Sequence, residues 1–188
     1  MKKHAHRLCP VWIGYFLASP LRKLHHRPVK ILGPHVRAGM RVVDIGCGMG
    51  FFSLPMARLV GPHGRVFCVD LQEKMLRVLS ARARRVGWAE RIETRTCQAE
   101  SLGLEDLRGR IDLVLAFAVV HEAPDPAHFL AEIADALNGG GRLLMAEPRG
   151  HVSADEFQET ITAAETAGLR VIESLKIPRS RAILMARD

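Results

Sequence analysis

From Arg41 onward the apolar positions change rhythm along the chain. Short runs in which almost every residue is apolar alternate with longer stretches in which apolar residues recur at helical spacing. Runs of the first kind predict strands buried on both faces, and their alternation with helices predicts a parallel sheet covered on both sides. The runs place strands at residues 41–45, 65–69, 91–96, 111–117 and 142–147. Between the second and third, residues 72–86 read as a helix with Met75, Leu79, Ala83 and Val86 on one face and Lys74, Arg77, Arg84 and Arg85 mostly off it. After the fourth strand, Asp125 as N-cap and Pro126 at the first helical position open a helix that turns Phe129, Ile133 and Leu137 inward. Ser153 and Glu156 have capping-box spacing and start another. The alternation then stops. Residues 169–175 and 181–186 read as two strands joined by a short loop holding Pro178, so the last pair must be an antiparallel hairpin.

Composition adds little to this picture until charge is located. The 188 residues, 48% hydrophobic and 25% charged, fit one soluble globular domain. The longest apolar runs, such as LVLAFAVV, fall well short of the roughly 20 residues of a membrane span. The first residues have the basic-then-apolar order of a signal peptide, but Pro10 and Gly14 interrupt the apolar part and no A-x-A site follows. Cys9, Cys47, Cys68 and Cys97 lack any metal-ligand spacing, so a reducing, cytoplasmic setting is the expectation. The net charge of +7 is concentrated: residues 1–43 hold nine Lys/Arg and no acid, while the rest holds 18 basic and 20 acidic side chains. That segment also carries five of the nine histidines, together with Trp12, Tyr15 and Phe16. It divides the chain into a basic, aromatic, helical N-terminal segment at 1–38, expected to act as a lid, and the main α/β domain at 39–188. Its helices, VWIGYFLA and LRKLHHRPVKIL, are expected to break at Pro20 and Pro28.

The chemistry concentrates where the first strand ends, in VVDIGCGMGFF. Gly46, Gly48 and Gly50 stand where strand turns into helix, and the missing Cβ atoms allow positive φ and close approach of a ligand. Asp70, at the end of the second strand, is placed to accept both ribose hydroxyls of a nucleotide cofactor. A dinucleotide and S-adenosylmethionine both fit so far; three features separate them. The spacing is G-x-G-x-G rather than the G-x-G-x-x-G of a pyrophosphate loop. Asp44, just ahead of the turn, repels a pyrophosphate but suits an ammonium and a sulfonium. The terminal hairpin, finally, is more than a simple dinucleotide fold requires. Against this, the glycines can serve a tight turn only, and Asp70 can act merely as a cap with Glu73 at capping-box distance.

VVDIGCGMG followed by VFCVDLQEKML resembles the first two motifs of class I S-adenosylmethionine-dependent methyltransferases, and the order of elements is similar from Arg41 to the end. The resemblance implies a Rossmann-like, doubly wound α/β fold with a seven-stranded sheet of order 3-2-1-4-5-7-6 and an antiparallel C-terminal strand. It implies that Asp44 orients the methionine end, that Gly46, Gly48 and Gly50 approach the cofactor, that Asp70 holds the ribose and that Leu71 packs on adenine. Contacts from Gln98, Ala99 and Ala116 follow from it too. Where the family commonly has an Asp that takes the adenine amino group, this chain has Gln98, whose carbonyl can accept the same hydrogen bond. The implied product is S-adenosylhomocysteine.

Methyl transfer needs a nucleophile aligned opposite sulfur and in some cases a base. Acceptors in open α/β sheets sit beyond the carboxyl ends of the strands. His121 and Glu122, after the fourth strand, are the candidate base pair; the alternative is that His121 packs near the cofactor while Glu122 opens a solvated loop. Glu147 and Arg149 offer an acid and an anion-binding cation after the fifth, or merely a solvated pair. Ala116 to Val119 replace the N/D-P-P-Y loop of amino-methylating enzymes, and the thiolates an arsenite enzyme needs are lacking. A small, anionic or aromatic acceptor is therefore expected. The N-terminal segment is read first as a lid, with Arg22 or Lys23 attracting an anion, then as a peripheral membrane contact, and last as a nucleic-acid contact. His4, His6, His25 and His26 are read as solvated, with no metal. The alternative from another class is a protein that binds S-adenosylmethionine without turnover, as a membrane- or RNA-associated regulatory module.

Overall fold

The computed structural model describes residues 27–188. The first expected helix, the part of the second ahead of Arg27 and most of the expected lid lie outside these residues. What is described opens with α1 (Pro28–Leu32), where Pro28 stands in the first turn and starts the helix, its missing N–H costing nothing there. Leu32 and Val36 are buried against Val42, Met56 and Val60, so the chain just ahead of β1 is already core.

Seven strands form one sheet in the order 3-2-1-4-5-7-6. They are β1 (Arg41–Ile45), β2 (Arg65–Asp70), β3 (Ile92–Thr96), β4 (Ile111–Phe117), β5 (Leu137–Pro148), β6 (Leu169–Ser174) and β7 (Ser180–Arg187). The four inner pairings from β3 to β5 run parallel, whereas β7 lies antiparallel between β5 and β6. Side-chain alternation sends Val43, Ile45, Val69, Val114 and Met145 to one face, where α4 (Pro126–Ala136) and α5 (Ala154–Thr166) cover them. Val42, Val66, Cys68, Leu113 and Leu144 go to the other, under α1, α2 (Ser53–Val60) and α3 (Glu73–Arg85). Two covered faces explain why these strands are apolar throughout.

The helix signals act as expected with two differences. Asp125 accepts from the Ala127 and His128 amides at 3.0 Å, and Ser153 with Glu156 closes a reciprocal capping box. On α3, Met75, Leu79 and Ala83 are buried, but Val86 is 45% exposed because the helix ends at Arg85 and the chain turns away. The glycine-turn helix begins at Ser53 rather than near Phe51, since Gly46 to Phe52 are used in the turn itself. β5 reaches back to Leu137, through Gly139 to Gly141, further than hydrophobicity alone marks.

Candidate active site

The carboxyl ends of β1, β2, β4 and β5 converge on one edge of the sheet, and the loops leaving them carry the polar side chains. The turn after β1 is tied to β2: the Gly46 and Cys47 amides both donate to the Val69 carbonyl, at 2.9 and 3.1 Å. From the other side Arg82 of α3 reaches the Met49 carbonyl. Gly46, Gly48 and Gly50 all have positive φ, at 67°, 53° and 85°, a region open to glycine and strained for other residues.

Their surroundings differ. A Cβ on Gly46 would stand 2.9 Å from Cγ2 of Val119, and one on Gly50 would stand 2.3 Å from Cδ1 of the fully buried Leu79. A Cβ on Gly48 would meet nothing within 4 Å. Gly46 and Gly50 thus let the protein close on itself, while Gly48 presents bare main chain to open space. Beside it lies Asp70, which accepts from the Gly48 amide at 2.8 Å and the Gln72 amide at 2.9 Å. Asp70 therefore braces the turn and retains acceptor capacity, since a carboxylate offers about four lone-pair sites. Its role as a helix cap is not taken up: Gln72 is the N-cap of α3 and no side chain caps it. Burial holds the Asp70 carboxyl above its usual range, opposed by those two amides.

Asp44 lies beneath the turn, 2% exposed, accepting a hydrogen bond from the Ser53 hydroxyl. Leu71 is 40% exposed beside Asp70, an apolar surface of the kind an adenine ring covers. Gln98 and Ala99 are exposed after β3, where Gln98 bridges to Ser101 through the main chain, and Ala116 is fully buried in β4. Phe117, ending β4, stacks its ring 4.7 Å from that of Phe52, joining the β4 end to the glycine turn.

The β4 and β5 ends build the second half. Ala118 has a φ of 58°, a left-handed conformation uncommon for alanine, and its amide donates to Ala146 on β5. The chain then enters a single 3-10 turn, Val120–Glu122. Glu147, 1% exposed, accepts the Val120 amide at 2.9 Å and the Val119 amide at 3.3 Å with one oxygen, and holds His121 Nδ1 with the other. The partner of His121 is therefore the buried Glu147, on the neighbouring strand, rather than its sequence neighbour Glu122. Glu147 raises the His121 imidazole above its ordinary value, against partial burial, with a smaller contribution from Glu122. Glu122 is itself raised, by burial and by the charges of Glu147 and Asp70. Arg149 is held away by the Ser180 carbonyl at 3.1 Å. Nothing in the sequence around Glu147 marks it as the partner of His121; the signal lies in the adjacency of β4 and β5.

Asp70, Glu122 and Glu147 give this edge a negative field, and Asp44 is a further acid at the turn. Such an edge repels a pyrophosphate and suits a ligand with an ammonium and a sulfonium, so the residues present fit S-adenosylmethionine. Gly48 and Asp70 would hold its ribose side, Leu71 its adenine and Asp44 its methionine end. Among the described residues no group of three or more metal-ligating side chains occurs, and no helix is long and apolar enough to cross a membrane.

Known proteins are similar to this chain. A family described as methyltransferase domain matches residues 37–180. The ubiquinone biosynthesis O-methyltransferase of Methylobacterium sp. (strain 4-46) is 34% identical over 141 residues, 75% of this chain and 53% of that protein. The ubiquinone/menaquinone biosynthesis C-methyltransferase of Pasteurella multocida (strain Pm70) is 33% identical over 112 residues, 60% of this chain and 41% of that one. The chain thus spans about half or less of the length of these curated relatives. A S-adenosylmethionine-dependent methyltransferase from Aquifex aeolicus superposes with a TM-score of 0.83 over 95% of this chain and 98% of its own, at 22% identity. With the sheet order, the glycine turn and the family match in agreement, the chain belongs to the methyltransferase-domain family and has the class I S-adenosylmethionine-dependent fold.

Proposed function

We propose that the chain transfers a methyl group from S-adenosylmethionine to a hydroxyl of a small aromatic acceptor, with His121 as general base. The observation that carries this reading is the His121–Glu147 pair at the carboxyl edge. Bound there, S-adenosylmethionine supplies an electrophilic methyl and a neutral thioether leaving group. Glu147 accepts a hydrogen bond from Nδ1–H and so favours that tautomer, which leaves Nε2, without a hydrogen bond among the described residues, as the lone pair that takes a proton. His121 Nε2 would take the proton of the acceptor hydroxyl, so that its oxygen can act as nucleophile toward the electrophilic methyl. Glu122, with its carboxyl raised by burial, borders the acceptor side and favours an uncharged ring over an anion. The names of the two quinone-pathway relatives support an aromatic acceptor. The basic, aromatic segment ahead of Arg27 is proposed to close over the acceptor, and peripheral membrane contact through it suits an apolar quinol.

A calorimetric titration with S-adenosylmethionine, S-adenosylhomocysteine and NAD, followed by a product assay over catechols, phenols, thiols and amines, tests the reading. Turnover of catechols or phenols is expected. Binding of the sulfur ligands with no turnover of any acceptor supports the non-catalytic alternative; binding of NAD alone overturns both.

A further inference from the structure

The opposite edge of the sheet holds a second site of different character. The amino ends of β1 and β2, the residue ahead of β4 and the outward side chains of β3 form a cavity of about 530 Å³, lined by Arg41, His63, Arg65, Arg95 and Arg110 together with three carboxylates. Its volume falls in the range of small-molecule sites, roughly 300–1,000 Å³. The carboxylates do not neutralise the arginines evenly. Glu93 and Asp106 are both taken by Arg95, at 2.7 and 2.6 Å, so that one guanidinium uses two acids. Arg41, Arg65 and Arg110 form no ion pair among the described residues, and Glu90 is the one lining acid left to offset them.

Arg41 is the most constrained of the three. Its guanidinium lies 5.4 Å from the centre of the Phe67 ring, and that of Arg95 lies 5.1 Å from the same ring. Two cations share one aromatic side chain, and only Arg95 has acids against it. The Arg41 Nε is enclosed and has no hydrogen-bond partner. An enclosed, unmatched donor on a charged group is costly, more so than a neutral one. A single water would satisfy that N–H yet leave the charges of Arg41, Arg65 and Arg110 in place.

We propose that this cavity binds a diphosphate-bearing small molecule. Guanidinium forks match phosphate oxygens in bidentate geometry, and four arginines against three carboxylates leave the lining net positive toward a phosphate-bearing ligand. The site lies across the sheet from the acidic edge that receives S-adenosylmethionine, so the two ligands do not compete for the same charges.

The test is a titration of the full chain with inorganic pyrophosphate, followed by amide resonances and repeated with sodium chloride at matched ionic strength. Saturable shifts at Arg41, Gly64, Arg65 and Arg110 are expected, with affinity about tenfold weaker in an Arg41→Gln/Arg110→Gln double variant, the effect of losing a hydrogen bond to a charged group. Should the double variant not fold, the exposed Arg110→Gln alone must weaken pyrophosphate about threefold while S-adenosylmethionine affinity holds. Shifts that chloride reproduces, shifts confined to Gly48 and Asp70, or unchanged affinity in the variants would each overturn the proposal.

Discussion

The two halves of the carboxyl edge are built by different means. The cofactor half comes from one continuous stretch, Asp44 to Phe52, closed by Asp70 of the adjacent strand; its parts are glycines and a carboxylate whose spacing is visible in the chain. The proposed acceptor half rests on His121 and Glu147, 26 residues apart and joined because β4 and β5 pair in parallel register, with Phe117 opposite Ala146. A main-chain cradle can be encoded locally, because its requirement is conformational. A base and its orienting acid need a fixed distance across strands, which only the assembled sheet provides.

If the acceptor half performs the proton transfer, its removal should spare the cradle. His121→Ala is expected to lower kcat by about 10²- to 10⁴-fold, the usual contribution of a positioned base, with S-adenosylmethionine affinity nearly unchanged. Single-turnover kinetics beside calorimetry read both quantities. An unaltered kcat would leave His121 as a packing residue and dissolve the contrast.

The cradle can be divided further. Gly50→Ala places a methyl against the buried Leu79 at a positive φ, so strain and overpacking together should cost about 2–4 kcal/mol of stability. Gly48→Ala carries only the conformational cost, about 1–2 kcal/mol, and should show its main effect as weaker cofactor binding, because its new methyl occupies the open side. Urea unfolding of the two variants, with and without ligand, separates them. Equal loss of stability in both would mean that Gly48 is a turn glycine like its neighbours.

Asp70→Ala is expected to weaken S-adenosylmethionine by about 1–3 kcal/mol, the range for a charge-assisted acceptor. Because the same carboxylate braces the Gly48 amide, part of that loss comes from the turn. Asp70→Asn separates the two contributions: its amide oxygen can still accept from Gly48, so a turn role is retained while the ribose contact weakens. Affinity equal to that of the unaltered chain in both variants would remove Asp70 from the site.

What the sequence made legible follows this division. All seven strands, the sheet order implied by the family resemblance, and the caps at Asp125 and Ser153 are found in the structure, because each rests on local periodicity or on a short motif. Glu122 was the nearest acid to His121 in the chain, yet the 3-10 turn leaves the imidazole facing Glu147. Val86 fitted a helical stripe that the helix leaves one residue too soon. The roles of Gly46 and Gly50 as packing glycines depend on Val119 and Leu79, which no spacing connects to them. The basic cavity is equally silent in the chain, since Arg41, Arg65, Arg95 and Arg110 gather only when β1 to β4 line up.

The smallest expected effect is also the one most specific to the acceptor half. Glu147 raises His121 above its ordinary value of 6.5, so the imidazole is charged in the folded state over a range where it is neutral when unfolded. The pair's contribution to stability is accordingly full below pH 6.5 and is lost as pH rises through the higher folded value. Catalysis runs the other way, because a base must first release its own proton: kcat/KM should climb as pH passes through that same value. Asp70 and Glu122 are raised as well, chiefly by burial. Glu147→Gln removes the charge, and its single oxygen can accept from Nδ1 only by giving up the Val119 and Val120 amides. It should move the rising limb of kcat/KM to lower pH and flatten the fall in stability above pH 6.5 by the same displacement. A rate limb that stays in place while the stability curve changes would show that His121 is held by Glu147 but does not take the acceptor's proton.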